Sequence, residues 1–269
     1  MHPFVALMKK YCIDYTNSHD QSLYGEIMEP DYVVNINGMQ LEVSTTYSAS
    51  VTQLFDMCPG LGLVVHRFVL NGDRLAMYFS EHTAMPGPLG NTLCCWRGIG
   101  LYKWNGTRLT ENFVEQDYVA MQAQLATGEP HPLIPPHIDP WTTTEAVPED
   151  PGAEAIVREW LERGDLADAD DHEIDDARTG TEYVPVIDVE SLTVNDLFSA
   201  GSSVPFHVRW QGTYRGGLGE ALDDKVGRPM ELTAVGIAEV VDGRVTSVKA
   251  ITGRLQAVTE LSGVQPAFG

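Results

Sequence analysis

"WRGIGLYKWNGTRLTENFVEQDYVAMQAQL" runs from Trp96 to Leu125, and "GIAEVVDGRVTSVKAITGRLQAVTEL" runs from Gly236 to Leu261. Each reads as a strand, a two-residue turn (Asn-Gly at 105–106, Asp-Gly at 242–243), a second strand and a helix. Asn-Gly and Asp-Gly supply the positive φ that tight hairpins need. Gly100 and Gly236, Arg108 and Arg244, and Leu125 and Leu261 are each 136 positions apart. Upstream, "LNGDRLAMYF" (70–79) resembles "FSAGSSVPFHVRW" (198–210), with Gly72 and Gly201 129 positions apart. The change of offset places extra residues in the second copy, around "EALDDKVGRPM". A recurring pattern of this kind predicts duplication of a unit of roughly 110–130 residues. One position breaks the likeness: Asp117 in the first copy is Gly253 in the second.

Each copy opens with a helix. Phe4, Leu7, Met8, Tyr11, Cys12 and Tyr15 form one apolar stripe at helical spacing, as do Ile156, Val157, Trp160 and Leu161. Strand-forming runs follow: "DYVVNIN", "GLVVHRFVL", "RLAMYFSEH" and "TLCCWRGIGLYKW" in the first copy, "EYVPVIDVE", "VPFHVRWQGTY" and "MELTAVGIAEVV" in the second. A helix followed by a curved antiparallel sheet predicts an α+β fold, repeated in tandem with the second unit abbreviated. The boundaries read as 1–127, a proline-rich arm at 128–152, and 153–269. Leu133, Ile134, Ile138 and Trp141 are costly to leave in water, so the arm is expected to pack across a unit.

The chain of 269 residues is 43% hydrophobic and 20% charged, as expected of a globular protein. No apolar run reaches 18 residues, and "MHPFVALMKKYCIDY" reads as a first helix, not a secretory signal. With 38 acidic residues against 17 basic, the net charge of −21 disfavours nucleic acid and anionic membranes as partners. Cys12, Cys58, Cys94 and Cys95 lack metal-ligand spacing and read as reduced thiols of a cytoplasmic protein. The acidic run "DLADADDHEIDD" lacks the glycine and terminal glutamate of a calcium hand, and "GTYRGGLG" lacks a dinucleotide context. Neither metal nor cofactor is assigned.

These segments, with "NGDRLAMYFSEHTAMPGPLG", "GTYRGGLG" and "GRPMELTAVGIAEVVDGRVTSVKAITGRLQAVTEL", resemble the nuclear-transport-factor-2-like superfamily and, within it, the SnoaL-like polyketide cyclases. The resemblance implies two cone-shaped α+β barrels, helices on a strongly bent sheet, each around an apolar pocket. It also implies that an aspartate before the last helix acts as acid and base. Asp117 matches that position and Gly253 does not, so the second unit is expected to be degenerate.

On this reading Asp117 is a proton shuttle in an apolar chamber, where burial would raise its pKa. The plain alternative is a helix cap. His82 and His66 join Asp117 as catalytic candidates, and Asn35, Tyr15, Tyr78, Trp96 and Glu115 are candidates for lining the pocket. Tyr78 and His82 share strand parity, with Glu81 on the other face; Glu115 shares parity with Asp117. Asn35 lies near the general base of the superfamily's ketosteroid isomerases, and an amide cannot take a proton there. The expected function is a cofactor-independent cyclase or isomerase acting on a small apolar oxygenated metabolite such as a polyketide, terpenoid or steroid-like compound. The alternatives are an epoxide hydrolase or dehydratase on the same scaffold, or a noncatalytic binding or assembly module. The two units are expected to pair as an internal pseudo-dimer, with homo-oligomers left open.

Overall fold

The computed structural model describes residues 1–135 and 138–264; arm residues 136 and 137 and the last five of the second unit lie outside the described residues. Its first sheet contains β1 (Met28–Ile36), β2 (Met39–Glu42), β3 (Gly62–Leu70), β4 (Arg74–Gly87), β5 (Gly90–Trp104) and β6 (Leu109–Gln116). The second contains β7 (Asp171–Ile174), β8 (Ile187–Leu197), β9 (Ser203–Tyr214), β10 (Pro229–Val241) and β11 (Arg244–Thr252). The orders are β2-β1-β6-β5-β4-β3 and β7-β11-β10-β9-β8. All pairings are antiparallel except β1 with β6 and β7 with β11.

The registers of the two sheets correspond. Ile99 pairs with Tyr78 and Glu115, while Val235 pairs with His207 and Ile251. Both β6 and β11 lead into a helix, Tyr118–Thr127 and Arg254–Ser262, each ended by a left-handed glycine, Gly128 and Gly263. The fold is therefore two α+β units in tandem. The second is shorter: between β7 and β8 it has only a turn of 3₁₀ helix, Ala177–Thr179. The first has β2 and the helical stretch Val43–Met57 in the corresponding place.

Each sheet covers its own core with its inner face. In the first unit the helix Pro3–Lys9 and the π-helical turns Lys10–Asn17 lay Phe4, Met8, Cys12 and Tyr15 against Leu75, Met77 and Phe79 of β4. In the second, Val157 and Trp160 of the helix Pro151–Glu162 pack with Phe206, Val208 and Trp210. The outer faces meet each other. Val69, Ala76, Tyr78, Ile99 and Leu101 from the first sheet form one buried stripe with Val235, Ile237 and Ile251 from the second.

Ion pairs flank that stripe: Arg97 to Glu173 at 2.6 Å, Arg67 to Glu239 at 2.7 Å, and Arg74 to Asp196. The arm packs on both the seam and the first core. Ile134 is buried in the stripe, Trp141 of the short helix Pro140–Thr143 sits edge-on to Phe68 of the first core at 5.2 Å, and Val147 donates its N–H to the Leu70 carbonyl. Leu133 and Ile138 depart from expectation at 56% and 77% exposed.

Because Leu101 is shared by both units, Leu101→Ala is expected to cost about 2–5 kcal/mol. Urea unfolding followed by tryptophan fluorescence should show the loss as a lower midpoint.

Candidate functional site

Strict alternation along β4 decides which side chains enter the first interior. Leu75, Met77 and Phe79 belong to the inner core, so Glu81 points inward with them. Tyr78, Ser80 and His82 point to the opposite face, and a bulge between Val65 and Arg67 turns His66 the same way. His66 Nε2 and His82 Nε2 each lie 2.8 Å from Ser80 Oγ, and the Tyr78 ring lies tilted against His66 at 5.3 Å. Tyr78 also donates to Glu173 of the second unit at 3.3 Å. The expectation that His66, His82 and Tyr78 line the first pocket is corrected: they belong to the seam between the sheets. Burial there lowers the pKa of His82.

Glu115 belongs to the seam as well. Its Oε1 lies 3.1 Å from His207 Nε2 of the second unit, and both side chains are buried. Asn35 faces away from Tyr32 and Val34, the inner residues of β1, and donates to the Asn112 carbonyl at 2.9 Å. Tyr15 and Trp96 lie in the inner core, 1% and 3% exposed.

Asp117 caps the helix Tyr118–Thr127. Its Oδ1 accepts from Ala120 N at 3.1 Å and from Arg254 Nη2 at 3.0 Å. Arg254 also holds Asp175 at 3.2 Å and Asp176 at 3.1 Å, so one guanidinium gathers carboxylates from both units. Burial, followed by the nearby Asp117 charge, raises the Asp175 pKa despite Arg254, which pulls it down. Gly253 has a steric reason. A Cβ there would lie 2.2 Å from Thr233 Oγ1, so no aspartate fits unless Thr233 moves.

The carboxylate that does enter the first interior is Glu81, which the sequence reading set on the other face. Glu81 is 7% exposed, and among the described residues it makes no hydrogen bond or ion pair. Its two oxygens are also absent from the sealed, unpartnered polar atoms, so each keeps contact with free space. Burial alone moves its pKa from 4.5 to about 7. Burial raises the pKa values of Cys12, Tyr47 and Tyr118, and the Glu81 charge adds to each rise, which places these groups near it. Trp96 is its cross-strand partner on β5. The Trp96 indole donates to Gln116 Oε1 at 2.6 Å, and Gln116, at the end of β6, shares the inner face with Val114. Near neutral pH such a carboxyl exchanges protons readily in either direction.

The second unit lacks this set. The registers place Trp210 where the first unit has Glu81, Leu232 where it has Trp96, and Thr252 where it has Gln116. Trp210 is fully buried, with its indole donating to the Leu161 carbonyl. The largest side chain thus fills the place of the carboxylate. The sequence contained the signal for Glu81, a glutamate on a strand of otherwise apolar inner residues, but not the parity of that strand relative to the seam.

Two surface crevices lie elsewhere. One of about 380 Å³ lies between the helix Pro151–Glu162 and the β10–β11 turn, lined by Trp160, Arg163, Asp168 and Arg244. The other, about 390 Å³, follows the seam at Arg67, Glu173, Arg178, Glu239 and Lys249. Ion pairs already engage most of the charged groups of both. Among the described residues there is no His, Cys, Asp and Glu cluster suited to a metal, and no helix long and apolar enough to cross a membrane.

No family model matches the chain, and no curated protein does. Solved structures do. The chain is similar to wild-type IdmH of Streptomyces antibioticus, described as a proposed polyketide cyclase. Identity is 18%, over 47% of this chain and 99% of that one, with a TM-score of 0.42. It is also similar to a SnoaL-like polyketide cyclase from Agrobacterium tumefaciens strain C58, at 18% identity over 46% of this chain and 98% of that one, TM-score 0.39. A third is AclR of Streptomyces galilaeus, a proposed hydroxylase, at 16% identity over 45% and 94%, TM-score 0.40.

Glu81 makes stability depend on pH in a defined direction. Its carboxyl ionises at a higher pH in the folded chain than in the unfolded one, so its contribution is fully present below about pH 4.5. That contribution is lost as the pH rises through about 7. Glu81→Gln removes the loss and is expected to be more stable than the parent by about 3 kcal/mol at pH 8–9, with little difference at pH 4. Urea titrations at the two pH values check this; an equal effect at both would contradict it.

Proposed function

We propose that the first unit is an acid–base enzyme of the cyclase or isomerase type, acting on a small apolar oxygenated molecule, with Glu81 as its proton-transfer group. The observation that carries the reading is a carboxyl inside an apolar, aromatic interior with no partner of its own and with oxygens open to free space. A carboxylate paired with arginine is held ionised and is a weak base; a desolvated one binds and releases a proton near neutrality. Positioned acid–base groups contribute typically about 10²–10⁴-fold in rate. The motif resemblance to SnoaL-like cyclases supports the reaction class, with the acid–base role moved from the helix cap to the strand. Asp117, bound by Arg254, is assigned a structural role.

Catalysis of this kind begins with a proton leaving carbon. 1-Tetralone serves as a probe because its C2 protons are acidified by the adjacent carbonyl. In D₂O the protein is expected to accelerate their exchange for deuterium, as read by proton NMR. Glu81→Gln should lower that rate at least about 100-fold, whereas Asp117→Asn should retain most of it with reduced stability. Exchange unaffected by Glu81→Gln would end the proposal.

The second reading, a noncatalytic binding module, is favoured by the commitment of Asp117 to the inter-unit ion pair. It corresponds to saturable binding of the ketone without any acceleration of exchange.

A further inference from the structure

We infer that the projecting end of the β4–β5 hairpin is a docking surface for a second copy of this chain, joined through the open edge of β5 at Asn91–Leu93. The inference is independent of the chemistry proposed for Glu81.

Strand pairing leaves the end of this hairpin without neighbours. β3 reaches along β4 only to His82, and β6 reaches along β5 only to Gly98. Beyond those points β4 and β5 pair with each other alone, as far as Gly87 and Gly90. Cys95 shows which way the free groups of β5 point. Its N–H donates to Gln124 Oε1 at 3.0 Å and its carbonyl accepts from Gln124 Nε2 at 2.8 Å, so one side-chain amide closes the edge there. Alternation turns the N–H and carbonyl of Leu93 and Asn91 to the same side. Among the described residues these groups have no partner on that side.

Proteins blunt open edges with proline or charge. The other edge of the hairpin has Pro86, which carries no N–H. The registers set Pro229 and Glu231 of the second unit where the first has Leu93 and Cys95. The edge of β5 has neither device.

Charge selects the occupant. No Asp, Glu, Lys or Arg occurs from His82 to Trp96, from Tyr118 to Gly128, or from Pro130 to Ile138. These stretches adjoin. A Cβ on Gly87 would touch Leu125, and one on Gly128 would touch Leu89, each at 3.3 Å. The His131 N–H donates to Gln124 Oε1 at 2.9 Å. The result is an uncharged surface on a chain of net charge −21, with Leu89, Leu93 and Leu133 each more than half exposed. Two such chains repel each other, and this surface lets them touch without setting acid against acid. It also continues the buried stripe between the sheets, where Ile134, next to Leu133, is packed.

The edge is self-complementary. A two-fold axis through Thr92 sets Asn91 opposite Leu93 of the second copy, and each such pair exchanges N–H···O bonds across antiparallel strands. The two Leu93 side chains then lie on one face as diagonal neighbours, within reach of each other.

The test is the mass of the full chain in solution. Sedimentation equilibrium from about 1 to 100 µM should approach twice the 29.6 kDa of one chain. Added salt should tighten the dimer by screening the repulsion between copies. Leu93→Lys sets two like charges side by side in the pair and should weaken it at least about 100-fold. Val226→Lys, at a valine of the second unit with similar exposure (53%), should leave it unchanged. Hydrogen exchange of the wild type keeps the test decisive if Leu93→Lys fails to fold: the Asn91 and Leu93 amides should be protected at high concentration and exchange freely on dilution. A monomer at every concentration, a dimer that survives Leu93→Lys, weakens with salt or is equally lost in Val226→Lys, or protection that skips residues 91–93 would each overturn the inference.

Discussion

Two sheets packed outer face to outer face impose the constraint on which the rest of this structure depends. Tyr78, Ile99 and Leu101 of one sheet and Val235, Ile237 and Ile251 of the other form a buried stripe that neither unit covers alone. Burial of these apolar side chains is favourable. It also means that β4, β5 and β6 are buried on both faces. A polar residue on those strands therefore has two very different destinations. On the seam it finds a partner from the other unit: Glu115 with His207, Arg97 with Glu173, Tyr78 with Glu173. On the inner face it finds an apolar interior, and Glu81 is placed there without a partner.

The units share a fold and differ in what faces their interiors. Their registers coincide at Ile99 and Val235, yet the inner positions differ in kind. Trp210, Leu232 and Thr252 fill or satisfy the second interior, as a stable core requires. Glu81 leaves the first with an unpartnered ionisable group, an arrangement that costs stability. The first unit alone has the stretch Val43–Met57, which brings Tyr47 to its core on a π-helical turn and Phe55 on the α-helix that follows. Asp117 and Gly253 differ for another reason: Asp117 accepts Arg254 across the seam, while Thr233 leaves Gly253 no room for a side chain.

By itself the sequence determined the two α+β units, most of their strands and helices in order, the Asp242–Gly243 hairpin turn and the closing helices. It did not reveal β7 inside the acidic run, and Asn105–Gly106 opens a four-residue loop, 105–108, instead of a two-residue turn. The legible part follows from local chemistry: periodicity, the Asp-Gly turn, and glycine at helix ends. Asp117 as a helix cap was legible in the same way, from its place before an apolar helix. What only the tertiary structure decided is which face of each strand is inside. Alternation gives two faces but does not label them when both are buried, so His66, Tyr78 and His82 fell to the seam and Glu81 to the interior. The label comes from the contact between sheets far apart in sequence, and the desolvation that sets the behaviour of Glu81 comes with it.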